Sequence, residues 1–286
     1  MRVGIVGAGV VGLACALELL GRGAEVEIFE RGETAGAKAC SWWAGGMLAP
    51  WCEGESAEEP VVRLEAEAIA ALEPDLAGRF GKALFFESEG HLDPRLALAG
   101  LAAKVIALGG RIHYGCEVAP EDVAADAVLD CRGLAAREAL PDLRGVKGEM
   151  LLLRTRDVTL SRPVRLLHPR IPLYVVPRAD GIFMVGATMI EGGDRGAVTA
   201  RSMLELLGGA YALHPAFGEA QIVEIGVDAR PAFPDNLPRL TRRGRVIHVN
   251  GFYRHGFLLS PAMARLAADA LLDPNSIPER LHDVAA

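Results

Sequence analysis

The first thirty residues, MRVGIVGAGVVGLACALELLGRGAEVEIFE, change hydrophobic period twice. Residues 3–6 form a short continuous apolar run, the pattern of a buried strand. Leu13, Leu17 and Leu20 then fall on one helical face, and Gly21 and Gly23 stop the helix. Val26, Ile28 and Phe29 restore an extended pattern. Strand, turn, helix and strand make one complete βαβ unit. Further along, LDPRLALAGLAAKVIALGGRIHYGCEV (92–118) predicts a capped helix, a glycine stop and a strand. ADAVLDCRGLAAR (125–137) predicts a buried strand running into a glycine turn.

From residue 149 to 186 the pattern changes. EMLLLRTR, PLYVVPR and GIFMVGAT are short β-like runs separated by prolines and charges. Asp180-Gly181 marks a hairpin, so these strands should be antiparallel. Residues 203–213 predict a helix, and RVIHVNG (245–251) a last buried strand. Ser260 and Pro261 read as N-cap and first residue of a closing helix. A parallel α/β layer is thus interrupted by an antiparallel sheet and then resumed. The expected fold is α/β: a Rossmann-like domain with a second, discontinuous domain built on an antiparallel sheet. The expected boundaries are 1–50, 91–140 and 241–286 for the first, and 51–90 and 141–240 for the second.

Composition narrows the functions. The 286 residues are 51% hydrophobic, with a formal net charge of −7. The densest basic cluster, Arg242, Arg243 and Arg245, reads as a solvated turn, so nucleic acid is not expected as a partner. EGESAEEP (53–60) reads as an acidic surface loop. The five cysteines (15, 40, 52, 116, 131) show no CxxC spacing and suit a reducing compartment. The seven histidines show no HxxxH or HExxH, so no metal is expected. No apolar run reaches membrane-spanning length. Arg2 and the apolar stretch after it mimic a signal peptide. Glycines at 4, 7, 9 and 12 and the continuation through Glu18 argue instead for a mature, cytoplasmic chain.

Gly7-Ala8-Gly9-Val10-Val11-Gly12 is a GxGxxG motif. Alone it is weak; here it follows a strand, opens a helix and precedes Glu30 at the close of the next strand. Gly7 permits the tight turn, Gly9 lets a pyrophosphate approach the backbone, and Gly12 allows close helix–strand packing. Glu30, with Arg31 beside it, would meet the adenosine ribose, and a carboxylate there disfavours a 2′-phosphate. CSWWAGGMLAP (40–50) is small-residue backbone that can lie against a ring system, which favours FAD over NAD. Taken singly, the other candidates have plainer readings. Tyr174 reads as core packing, Met189 as pocket wall, His255 as a structural hydrogen-bonder, and Arg254 as the partner of a surface carboxylate.

SWWAGGMLAP (41–50), YVVPRADGIFMVGATM (174–189), ARPAFPDNLP (229–238) and NGFYRHGFLLSP (250–261) occur in that order behind the glycine motif. Together they resemble the glycine oxidase of thiamine biosynthesis, in the D-amino-acid oxidase and sarcosine oxidase superfamily, over nearly the whole chain. The resemblance implies non-covalent FAD and oxidation of glycine or another small amine to the imine, with dioxygen reduced to hydrogen peroxide. The imine would feed thiazole formation. It implies that Arg230 clamps the substrate carboxylate, Tyr174 adds a hydroxyl, and Met189 lines the pocket. Phe252, Tyr253, Arg254, His255, Gly256, Phe257 and Leu258 would wrap the flavin, with Arg254 between flavin and substrate. Cys40, Ser41, Gly45, Gly46 and Met47 would face the flavin or its ribityl-phosphate chain, and Val118 would reach the adenine. Reduction leaves negative charge on the flavin's N1–C2 edge, which a helix N-terminus and Arg254 would stabilise.

The longer relatives carry extra strand and helix after the GGMLAP region, where this chain has only residues 51–72, so the resemblance implies a Rossmann-like FAD-binding domain beside a shortened antiparallel substrate domain. Three readings therefore stand: a glycine or small-amine oxidase, an FAD dehydrogenase of D-amino acids or secondary amines, and a flavin-binding relative without turnover. A homo-oligomer fits each of them.

Overall fold

The computed structural model describes residues 1–50, 61–167, 172–273 and 281–283. The acidic run at 53–60 lies outside them. The chain opens as its hydrophobic pattern predicts. β1 (Arg2–Val6) leads through the glycine turn into α1 (Val10–Gly21), and β2 (Glu25–Glu30) returns parallel to β1. Then come β3 (Met47–Leu48), β4 (Val62–Glu65), α2 (Ala66–Leu72), β5 (Lys82–Phe85) and β6 (Gly90–His91). α3 (Pro94–Ala107) is capped by Asp93, whose carboxylate accepts from the Arg95 and Leu96 amides. β7 (Arg111–Tyr114) and β8 (Ala127–Asp130) follow.

The antiparallel half starts at β9 (Arg144–Arg154) and continues with β10 (Val164–Leu166), β11 (Leu173–Pro177), β12 (Ile182–Gly186) and β13 (Ile190–Glu191). Asp180 (φ 60°) and Gly181 (φ 67°) are both left-handed and close the β11–β12 hairpin. α4 (Ala200–Leu213) begins at the Thr199 cap, three residues before the expected start. β14 (Gln221–Ala232), β15 (Arg239–Arg243), β16 (Val246–Asn250), α5 (Gly256–Leu272) and β17 (Leu281–Asp283) complete the chain.

Two large sheets result. One has seven strands in the order β17-β15-β16-β8-β1-β2-β7, parallel except where β15 meets β16. The other is antiparallel, β10-β11-β12-β9-β13, with β14 on the opposite side of β9. Each has its own core. Leu13, Cys15 and Leu19 of α1 pack with Met263, Ala264 and Ala267 of α5 behind the parallel sheet. Leu151, Leu153, Val175, Phe183, Leu206 and Phe217 pack between the antiparallel sheet and α4.

Two readings need correction. The last helix begins at Gly256 with His255 as its cap, so Ser260 and Pro261 lie inside it. Ser260 Oγ donates to the Gly256 carbonyl instead of capping amides, and Phe257 and Leu259 extend the apolar face backwards. The strand preceding Val118 stops at Tyr114, because Gly115 (φ 64°) turns the chain back to hydrogen-bond with Gly32. The arginine cluster does form an exposed turn at residues 243–245, and two of its guanidinium groups are also tied to the backbone. Arg242 donates to the Ala270 carbonyl at 2.8 Å, and Arg245 donates to those of Val123 and Ala125. No helix among the described residues is long and apolar enough to cross a membrane.

Candidate active site

A long cleft runs between the two sheets. At its first end, β1 delivers the chain to Gly7 in a left-handed turn (φ 102°) that few side chains tolerate. A Cβ on Gly12 would stand 1.9 Å from the Gly7 carbonyl oxygen, so α1 can start this close to β1 only with glycine there. Gly12 itself lies behind the cleft wall, which Gly7, Gly9, Val10 and Val11 form. Glu30 is 4% exposed, and its carboxylate accepts from the Ala8 and Gly32 amides at 2.7 Å each. That brace fixes the glycine turn and leaves lone pairs facing the cleft. Arg31 and Val118 complete this end.

The middle is built from the loop around residues 38–49, held by β3 pairing with β6. Gly46 (φ 71°) is required here, since a Cβ would meet the Leu92 carbonyl at 2.2 Å. The buried guanidinium of Arg178 donates to the carbonyls of Gly45 (2.7 Å) and Leu92 (2.8 Å). It thereby ties the β11–β12 hairpin to this loop. Cys40, Ser41, Gly45, Gly46 and Met47 all line the cleft. The Cys40 thiol is pushed up to about 12, chiefly by burial and then by Asp228. Opposite them stand Phe252, Tyr253, Arg254, His255, Gly256 and Phe257; Leu258 is half-buried and does not reach the cleft.

At the far end, β11 and β14 supply the side chains. Tyr174 pairs with Gly186 across β12, and its ring is sandwiched between Gly186 and Gly45. Arg230 lies across Gly148 of β9, where a Cβ would come within 2.3–2.6 Å of the guanidinium atoms. Its Nη1 donates to the Thr188 carbonyl at 3.2 Å. Met189 is 47% exposed and accepts from the Tyr253 hydroxyl. Tyr253 is itself left-handed (φ 49°) and donates its amide to the Pro231 carbonyl, joining the end of β14 to the approach of α5.

Sequence reasoning missed three features of this cleft. Arg195 and Asp228 form an ion pair with both contacts at 2.6 Å. Gly148 is the floor under Arg230. Arg132, which also lines the cleft, is held by Asp130, fully buried and hydrogen-bonded to His248 at 2.8 Å. Desolvation would raise the Asp130 carboxyl, but His248 and Arg132 outweigh it and hold the group below its ordinary range. The available signal is Asp130 and Arg132 standing two apart at the end of the apolar run AVL.

The cleft suits a dinucleotide on its own chemistry. Gly9 and His255 cap α1 and α5 without any side-chain hydrogen bond, so two helix N-termini with no acid in their first turns face the cleft. Ser41 Oγ is buried there and finds no partner among the described residues, which an added ligand would supply. The FAD dependent oxidoreductase (DAO) family matches residues 2–70 and 53–270. The chain belongs to this family.

This DAO-family oxidoreductase takes FAD as its cofactor. It is 52% identical, over 326 aligned positions, to a Rhizobium etli protein that carries the name thiamine biosynthesis oxidoreductase ThiO; 98% of this chain and 99% of that protein are covered. The aligned positions outnumber the 286 residues of this chain, so that relative carries residues this chain lacks. It is 25% identical to the glycine oxidase of Pseudomonas aeruginosa, over 94% of each. Among solved structures, the glycine oxidase of Geobacillus kaustophilus superposes with a TM-score of 0.83 at 24% identity, covering 96% of both chains. The iminodiacetate oxidase of Chelativorans sp. BNC1 gives 0.81 at 22% identity, covering 99% of both. These likenesses establish the fold: a parallel Rossmann-type sheet beside an antiparallel substrate-side sheet.

Proposed function

We propose that this protein oxidises glycine, or an amino acid of similar size, to the imine, and so serves thiazole formation in thiamine biosynthesis. The 52% identical relative and the glycine oxidases support that choice. The observation that carries it is Arg230, a guanidinium laid flat over Gly148 at the end of the cleft opposite Glu30. A planar fork in that place suits one carboxylate, gripped by two parallel bonds.

Bound FAD supplies the two-electron acceptor for the substrate Cα hydride, and dioxygen takes those electrons on to hydrogen peroxide. This chain's residues do the rest. Gly7, Gly9, Val10 and Val11 would present backbone to the pyrophosphate, Glu30 would accept from the ribose, and Val118 would pack at the adenine. Ser41 would donate to the cofactor, and the 40–47 backbone would hold its ring. Arg254 and the N-terminus of α5 counter negative charge at the ring's carbonyl edge. Arg230 and the Tyr174 hydroxyl hold the carboxylate, which aims the Cα at the ring, while Met189 and Tyr253 restrict water. Orientation and charge balance suffice, and no side chain is assigned as general base. The 1–50, 91–140 and 241–286 segments form the cofactor domain in this reading, and the rest forms the substrate domain.

The test is anaerobic. Glycine should bleach the flavin of the holoprotein, and Arg230→Ala should raise KM on the order of a hundredfold while FAD stays bound. Flavin that no small amino acid bleaches would leave a cofactor-binding protein without this turnover. Bleaching followed by slow reoxidation in air would favour the dehydrogenase.

A further inference from the structure

We propose that Arg195 is a positioning residue: it engages the Asp228 carboxylate and so keeps the Arg230 guanidinium available to substrate. This deepens the reading of Arg230 given above and rests on it.

The argument begins with strand geometry. Asp228 and Arg230 are two residues apart on β14, so their side chains leave the same face roughly 7 Å apart. An arginine side chain can cross that gap. Asp228 is 6% exposed at its side chain, and a carboxylate so buried must be paired. The cations beside it are its strand neighbour Arg230 and Arg195, which reaches over from the segment between β13 and α4. Arg195 takes the carboxylate side-on, Nε to Oδ1 and Nη2 to Oδ2, both at 2.6 Å. The Ala229 amide adds a bond to Oδ1 at 2.6 Å, and Arg195 Nη2 also donates to the Lys38 carbonyl at 3.2 Å. Arg195 is thereby fixed at three points.

With Asp228 satisfied, Arg230 makes no ion pair among the described residues and rests on the neutral Thr188 carbonyl. The three charges converge around Cys40, whose thiol stays neutral and adds nothing to the count. Two guanidinium groups and one carboxylate leave a single positive charge for the ligand. That suits a monocarboxylate. Without Arg195 the count falls to zero, and the buried Asp228 draws Arg230 across the strand.

The experiment uses the FAD-loaded protein and acetate, which is glycine without its amine, titrated by the change in flavin absorbance. Arg195→Ala should weaken acetate binding and raise the KM for glycine about tenfold or more, with kcat within about threefold of wild type. Asp228→Asn should bind acetate at least as tightly as wild type. The double variant Arg195→Ala/Asp228→Asn should recover to within about threefold, since no carboxylate remains to capture Arg230.

Unchanged binding in Arg195→Ala overturns the proposal. So does a double variant as weak as the single one, because Arg195 would then be touching the ligand directly. Should Arg195→Ala not fold, the double variant decides alone, as it buries no orphan charge. If wild type and Arg230→Ala bind acetate equally, the clamp reading itself fails and takes this inference with it. A wild type that depends on Arg230 but not on Arg195 sinks this inference only.

Discussion

The two sheets make their halves of the cleft from different materials. The parallel layer works with main chain: a left-handed Gly7, a Gly12 that lets α1 approach, and two helices opening without side-chain caps. The antiparallel layer works with side chains laid on glycine: Tyr174 on Gly186 and Gly45, and Arg230 on Gly148. Backbone recognition tolerates almost no local change but is indifferent to distant sequence. Side-chain recognition tolerates local change but depends on cross-strand register. The first suits an invariant cofactor. The second suits a substrate pocket that relatives can retune.

This contrast predicts a gradient of effects. Gly12→Ala should be the most damaging, because its Cβ meets backbone that cannot step aside. A loss of about 3 kcal/mol or more and an absence of flavin absorbance are expected. Asp130→Ala should cost about 3 kcal/mol by leaving the buried end of His248 unpaired and Arg132 held by Glu138 alone. The sign with pH follows from the lowered carboxyl. Asp130 contributes stability at pH above the ordinary carboxylate range, and that contribution is lost as pH falls through its depressed native value. In Asp130→Asn, that part of the acid-side decline in Tm should vanish.

On the other sheet, Gly148→Ala pushes only the far end of Arg230. FAD content should hold while the KM for glycine rises about tenfold. If flavin is lost as well, the division between the layers is wrong. The mildest case is Ser41→Ala. Removing one hydroxyl that has no partner among the described residues should weaken FAD binding threefold to tenfold or so by equilibrium dialysis, without lowering the Tm of the FAD-free protein.

The same division explains what could be read before the structure. Gly7, Gly9 and Glu30 are legible because a backbone site is contiguous, and periodicity locates the strand and helix around it. The switch from parallel to antiparallel is legible from run length and from Asp180-Gly181. Arg195, Asp228 and Gly148 are not, since their relation exists only once β14 is laid on β9 and the chain after β13 folds over them. Ser260-Pro261 is a strong local start signal, yet α5 starts upstream of it, at Gly256. Packing of Phe257 and Leu259 against the main core overrides it.

Arg178 joins these two styles of construction. The side chain belongs to one sheet's hairpin, yet both hydrogen bonds end on peptide oxygens, at Gly45 and Leu92. Replacing a residue's side chain does not remove its carbonyl. Apart from the longer ion pair to Asp93, the joint between the layers can therefore be cut from one side alone, and drift at position 92 leaves it standing.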